Sequence, residues 1–344
     1  MIPVVASPSA VEALELPRIM RLGASVYGAA FSLMKLLPAR FIIEEAERSG
    51  EIEPGCRVIE TSSGTFGLGL AMICRSRGYD LSIVGDPVID AVLRRRLRLL
   101  GADVTIVSGA AARGGVQQAR LDRVERLCAR HPRHFVPRQY DNPSNARAYG
   151  RVAELLQDTI GDVDCLVATV GSGGSSCGTA SALREQFPQM RLIGVDTPGS
   201  VLFGTPDGPR LLRGLGSSIH PGNVDHRLFD EVHWLGAAEA FFMTRTLYRD
   251  HSLFMGPTSG AAYLVARWWA ERNPGARVVA IMPDEGYRYE RTVYDERWLS
   301  RVGALRTDPP AAPVDVEHPL AVRDGWSRLA WDRRSLVEVT GAAA

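Results

Sequence analysis

From about Arg57 onward the chain alternates short apolar runs with helix-length segments, and this regularity restricts the fold more than any other feature. Strands are predicted at 57–60, 81–84, 103–107, 135–138, 165–170, 192–195, 231–234 and 278–282. Helical patterns fall between them, at 67–77, 89–100, 116–129, 146–158, 176–186, 237–250 and 261–272. Such alternation implies an α/β fold with largely parallel sheets. At ~150 residues per domain, 344 residues make about two domains, with a boundary expected near Gly150. After Asp308 the run Pro309-Pro310-Ala311-Ala312-Pro313 reads as a linker to a short tail whose Trp326 and Trp331 could pack on the body or on a partner.

A formal net charge of +1 argues against an electrostatic grip on nucleic acid or anionic membrane. No apolar run approaches the ~20 residues of a membrane span. Five cysteines without a CxxC pair are no disulfide scaffold and point to a reducing compartment. The first ten residues lack the basic-then-apolar pattern of a secretory leader, so a cytoplasmic protein is expected.

Every basic residue but one is arginine, and the exception is Lys35, set in the apolar stretch Phe31-Ser32-Leu33-Met34-Lys35-Leu36-Leu37-Pro38. Arginine stays protonated in proteins, whereas a desolvated lysine amine loses its proton and becomes a nucleophile. Lys35 is therefore a candidate Schiff-base lysine. The plainer alternative is a lysine snorkelling from a helix.

Open α/β sheets bind ligands at the carboxyl ends of their strands, so the loops after strands carry the candidate chemistry. Gly171-Ser172-Gly173-Gly174-Ser175-Ser176-Cys177-Gly178 follows an apolar run and opens a helix. Its glycines admit close backbone approach and the helix N-terminus favours an anion such as a phosphate monoester, or the segment is only a tight strand–helix turn. Thr61-Ser62-Ser63-Gly64-Thr65-Phe66-Gly67 opens another helix and suits a carboxylate, or serves only as a helix cap. Gln139-Tyr140-Asp141-Asn142-Pro143 and Gly256-Pro257-Thr258-Ser259-Gly260 are readable as turn and cap chemistry, or as further site loops. His220 and His226 lack metal-ligand spacing, and no metal is expected. Cys177 reads as a packing residue.

Taken in order, these segments resemble the cysteine synthase / cystathionine beta-synthase family of fold-type II pyridoxal-phosphate enzymes, over roughly residues 16–303. Residues 61–67 resemble the family's substrate loop, 139–143 its Gln-Phe-x-Asn-Pro segment, and 171–175 its phosphate loop. Gly214-Leu215-Gly216 resembles a Gly-Ile-Gly turn near the cofactor, and residues 256–260 resemble Gly-Ile-Ser-Ser-Gly. The resemblance implies two open twisted sheet domains with pyridoxal 5'-phosphate in the interdomain cleft. A large cofactor domain is expected over 1–44 plus 150–305, a small substrate domain over 45–149, and a linker and tail over 306–344. It implies Lys35 as catalytic residue and cofactor imine, with Thr65, Gly171, Ser172, Gly173, Gly174, Ser175, Gly214 and Thr258 also binding the cofactor. Ser62, Ser63, Gly64, Phe66 and Gln139 would bind substrate. Thr258 would set a hydroxyl against the ring nitrogen, which disfavours transamination and favours chemistry at Cβ.

The implied reaction is β-replacement on O-acetyl- or O-phospho-L-serine through an aminoacrylate, with a sulfur or amine nucleophile, in a homodimer that has no nucleic-acid or membrane partner. This chain carries Thr65 and Phe66 where the family has Asn and Thr, and lacks its usual sequence around the lysine. The segment Asp284-Glu285-Gly286-Tyr287-Arg288-Tyr289, with Thr292, Val293, Tyr294 and Trp298, resembles the sub-branch making N-(2-amino-2-carboxyethyl)-L-glutamate. Two alternatives stay open: β-elimination of the serine/threonine ammonia-lyase type, and a binding protein without catalysis.

Overall fold

A computed structural model describes residues 9–108, 115–308 and 312–341, so part of the expected linker, residues 309–311, lies outside the described residues. In chain order the strands are β1 (Arg18–Arg21), β2 (Val26–Ala30), β3 (Arg57–Thr61), β4 (Asp80–Gly85), β5 (Asp103–Ile106) and β6 (His134–Phe135). They continue as β7 (Cys165–Thr169), β8 (Arg191–Asp196), β9 (Glu231–Leu235), β10 (Val278–Met282), β11 (Val314–Asp315) and β12 (Trp326–Ala330). The chain divides into two compact units, Met1–Leu16 with Leu33–Ala148, and Pro17–Ser32 with Tyr149–Ala344.

The first unit is built on a parallel sheet in the order β5-β4-β3-β6. Val58, Ile59, Leu81, Ile83 and Val84 are buried, as expected of strands covered on both faces. The helix Leu36–Ser49 buries Leu36, Ala39, Ile42, Ile43 and Ala46, a three-to-four-residue spacing that forms one apolar stripe. It stops at Gly50, whose φ of 77° lets its amide reach back to Ala46 and Glu47. The expected strand 135–138 ends early, at Phe135, because the chain turns at Arg138, a non-glycine residue with φ of 53°.

The second unit carries an eight-stranded sheet ordered β1-β2-β10-β7-β8-β9-β12-β11. From β2 to β9 the strands are parallel, and β7, β9 and β10 are buried at every position. β1 closes one edge antiparallel to β2, and β12 pairs antiparallel with β9.

These units differ from the expected domains in three places, the first being that the chain up to Leu16 belongs to the smaller unit and not to the large one. Residues 33–44 join the smaller sheet, because the helix Leu36–Ser49 shares one apolar cluster with the helix Thr65–Arg77. Residues 312–341 are no tail: β12 extends the larger sheet, and Trp326 and Trp331 are buried on the body.

Candidate active site

In the first unit β3 delivers the chain into residues 61–64, after which the helix Thr65–Arg77 begins. Gly64 is its N-cap and has no side chain to offer, so the amides of Thr65 and Phe66 remain directed at an incoming anion while Ser62 takes that of Gly67. Ser62 Oγ accepts from the amides of Gly64 (3.3 Å) and Gly67 (3.0 Å) and thereby shapes the loop. Ser63 Oγ accepts from the amide of Asp86 (3.1 Å) and from Arg120 Nη1 (3.1 Å). Gln139 Nε2 donates to Thr61 O (3.2 Å), which joins the glutamine segment to this loop. Asn142 and Ser144 act as turn residues: Asn142 Nδ2 donates to Pro137 O and the Ser144 amide donates to Asn142 Oδ1.

Lys35 stands immediately before the helix Leu36–Ser49, with Phe31, Leu36 and Leu37 buried around it in sequence. Some of its surface remains accessible, yet desolvation pushes its amine down from 10.5 to about 8. The backbone of Lys35 lies against Gly69, where a Cβ would stand 2.7 Å from Lys35 O. A glycine at that position is therefore what lets the helix Thr65–Arg77 approach the lysine.

Phe66, expected at the substrate, lies in the apolar interior of the first unit. It is 2% exposed and packs in the apolar cluster with Leu36, Ile42 and Leu70, because the second position of its helix faces the sheet core. Thr65, one residue earlier, keeps part of its surface accessible.

In the second unit β7 leads into residues 171–175, and the helix Gly174–Gln186 starts within that loop. Gly173 is its N-cap with φ of 84°, and no side chain occupies the cap. A Cβ there would run into Asn223 O and stand 2.8 Å from Val224 Cγ2, so both conformation and space require glycine. Ser172 and Ser175 are buried beside it. The Gly216 amide donates to Val170 O (2.8 Å), which brings the 214–216 turn against the loop. Gly214 has φ of 92°, and a Cβ on it would stand 2.9 Å from Thr258 Cγ2. Thr258 is 2% exposed, one residue past the proline that opens the helix Pro257–Arg272. Behind it, the Gly256 amide donates to Asp284 O (2.8 Å) and Tyr289 Oη donates to Asp284 Oδ2 (2.8 Å). Burial pushes the Asp284 carboxyl up to about 6. Glycine amides, serine hydroxyls and an open helix start fit a phosphate ester, and Thr258 lies beside the turn that borders them.

Each unit thus gathers one set of the expected residues: Lys35, Ser62, Ser63, Gly64, Thr65 and Gln139 in the first, and Gly171, Ser172, Gly173, Gly174, Ser175, Gly214 and Thr258 in the second. Burial raises the Cys177 thiol to about 11, which keeps it protonated. His226 Nε2 bonds Leu202 O (2.7 Å), and no metal-binding cluster occurs among the described residues.

Sequence reading missed Arg120, Tyr140 and Glu60. Arg120 is buried, its Nη1 donates to Asp86 Oδ2 (2.8 Å), and its buried Nε has no hydrogen-bond partner among the described residues. Tyr140 lies beside it, with burial raising the phenol against the pull of the Arg120 charge. In a chain that writes arginine almost everywhere, one more arginine gave no signal. Glu60, a carboxylate closing an apolar run, did offer one.

A sequence profile of the family described as "Pyridoxal-phosphate dependent enzyme" matches residues 33–284. N-(2-amino-2-carboxyethyl)-L-glutamate synthase of Ralstonia nicotianae is 36% identical over 272 residues, 78% of this chain and 80% of that protein. Cysteine synthase of Staphylococcus aureus is 31% identical over 256 residues, 73% of this chain and 81% of that one. Among solved structures, a hydrogen sulfide-producing enzyme from Fusobacterium nucleatum superposes with a TM-score of 0.77 at 27% identity, covering 83% of this chain and 100% of that one.

Proposed function

Because the chain belongs to the pyridoxal-phosphate-dependent enzyme family, we propose that it performs β-replacement on an O-activated L-serine, with phosphate as leaving group and an amino-acid amine as nucleophile. The general reaction is supported by relatives named for N-(2-amino-2-carboxyethyl)-L-glutamate synthesis and cysteine synthesis. The observation that carries the choice of phosphate is Arg120: a buried guanidinium beside Ser63 and Tyr140 with Nε open to a further acceptor. An acetyl ester gives such a cation little to do, whereas a phosphate dianion pairs with it strongly.

Lys35, residues 171–175, Gly214 and Thr258 would hold the cofactor, which when bound supplies an electron sink at the substrate's Cα. The remaining steps fall to the chain. First-turn amides after Gly64, with Ser62 and Gln139, receive the α-carboxylate. Arg120, held by Asp86 and Ser63, faces the charge of the departing phosphate. Lys35, with its amine at about 8, takes the Cα proton as the Cβ–O bond breaks, and returns it after the incoming amine bonds to Cβ and sheds its own proton. Thr258 would offer the cofactor a neutral hydroxyl rather than a carboxylate, chemistry that favours exchange at Cβ over transamination. Thr65 stands at the start of the carboxylate-binding helix.

The test is direct. Purified holoenzyme given O-phospho-L-serine and L-glutamate should release inorganic phosphate and form the amine adduct, read by phosphate assay and mass spectrometry. Turnover only with O-acetyl-L-serine would refute the phosphate assignment, and pyruvate formation without a second substrate would refute replacement. A cytoplasmic homodimer belongs to the same proposal, and light scattering on the holoenzyme checks the subunit count.

A further inference from the structure

We propose that Glu60 is a positioning residue: its carboxylate gathers backbone amides from two separate segments and so sets Gln139 and the 61–64 loop in register for the substrate's α-carboxylate. The inference rests on the carboxylate site proposed above, and extends it to a residue that does not itself touch substrate.

Glu60 is the penultimate residue of β3 and only 2% exposed. Its Oε1 accepts the Thr61 amide at 2.7 Å, and its Oε2 accepts the Gln139 amide at 3.2 Å, although 79 positions separate Glu60 from Gln139. The amide of Arg138 also points at the carboxylate. Gln139 completes the loop by donating from Nε2 to Thr61 O, and its own carbonyl accepts from Asn145 Nδ2. Arg138 has φ of 53°, a conformation a side chain adopts only when its surroundings hold it there. The carboxylate supplies that hold by giving the turn's amides an acceptor.

A neutral side chain cannot do the same work. A carboxylate is acceptor-only at both oxygens, whereas a carboxamide or protonated acid turns a donor toward one of the amides. Burying the charge is costly, and the pull of Arg120 and the converging amides offsets only part of it. The charged and titratable groups around the carboxyl are Arg120 and Tyr140, while Arg138 contributes its backbone amide. Burial places its titration at about 7, so the ionised and neutral forms exchange across ordinary pH.

Binding of unactivated L-serine to the holoenzyme, followed by the cofactor's visible absorbance, isolates this function from turnover. Glu60→Gln should bind L-serine about tenfold more weakly than wild type at about pH 8.5, since one acceptor is lost. That ratio should shrink toward unity at about pH 5.5, where wild type is also protonated. Glu60→Asp keeps the charge but reaches one amide fewer, so it should bind more weakly at both pH values, and it serves if the glutamine variant does not fold. Either folded variant binding within twofold of wild type at both pH values overturns the proposal, as does a wild type that shows no response to L-serine. Failure of wild type to release phosphate from O-phosphoserine, with L-serine binding intact, would refute the leaving-group assignment and leave this one standing.

Discussion

Lys35 owes its character to surroundings that disfavour charge: an amine titrating at about 8 is partly neutral at physiological pH and ready to accept a proton. Replacing it by alanine should lower phosphate release at least ~1000-fold, since nucleophile and base are lost together. Retention of the cofactor by the second unit's donors should survive, as read by equilibrium dialysis. Normal turnover of that variant would sink the assignment. Arg120 is the second decisive side chain. Arg120→Lys keeps the charge but loses the planar fork, so the KM for O-phosphoserine should rise about 10- to 100-fold, and that for O-acetylserine should change little. Equal losses with both substrates would show that Arg120 supports the fold and not the phosphate.

At the scale of elements, the working parts are helix starts whose N-cap residue is glycine. The helices Thr65–Arg77, Gly174–Gln186 and Pro257–Arg272 all begin at glycine N-caps that supply no side-chain acceptor, although Ser62 Oγ takes the Gly67 amide of the first. Uncapped amides cost stability unless something else accepts from them, and an anion does so with help from the helix dipole. Gly173→Ala tests one of these starts. It forces a side chain into positive φ and against Asn223 and Val224, so pyridoxal 5'-phosphate should bind about tenfold more weakly, for roughly 1–3 kcal/mol of strain. Fluorescence titration of the apoprotein would show it, and unchanged affinity would mean that the loop does not form the cradle.

Across the whole molecule, the C-terminal segment is a structural part of the larger sheet. Trp326 Nε1 donates to His233 Nδ1 (2.9 Å), and Arg328 Nε donates to Glu231 Oε2 (2.6 Å). The Trp331 amide bonds Asp230 O (2.9 Å), and the indole itself is fully buried. Burial alone would raise the Glu231 carboxyl, yet its bonds with His233 and Arg328 hold it down at about 2. Folding therefore lowers this pKa from 4.5, and the stability Glu231 contributes is complete above that value and lost as pH falls through about 2. Glu231→Gln should flatten the acid limb of stability between those values and cost about 1–3 kcal/mol at neutral pH, in urea melts across pH. An unchanged acid limb would locate the acid sensitivity elsewhere.

The alternation of apolar runs and helical segments was enough to specify an α/β chain with parallel strands, because buried strands need uninterrupted apolar runs wherever they lie in space. Lys35 and the glycine-rich loop were legible for a related reason: a titratable amine among apolar neighbours and a run of small residues at a strand end are unusual locally. The outer strands β1 and β12, the latter bordered only by the two-residue β11, were not, since Arg18-Ile19-Met20-Arg21 and Trp326-Ser327-Arg328-Leu329-Ala330 carry mixed polarity and pair only because a neighbour offers free hydrogen bonds. Arg120 and Glu60 became distinctive only once distant segments converged on them, for their chemistry consists in being buried beside Ser63, Asp86 and the Gln139 turn. Local composition sets which elements form. Which charge is desolvated, and against which partner, is decided by packing between residues far apart in the chain.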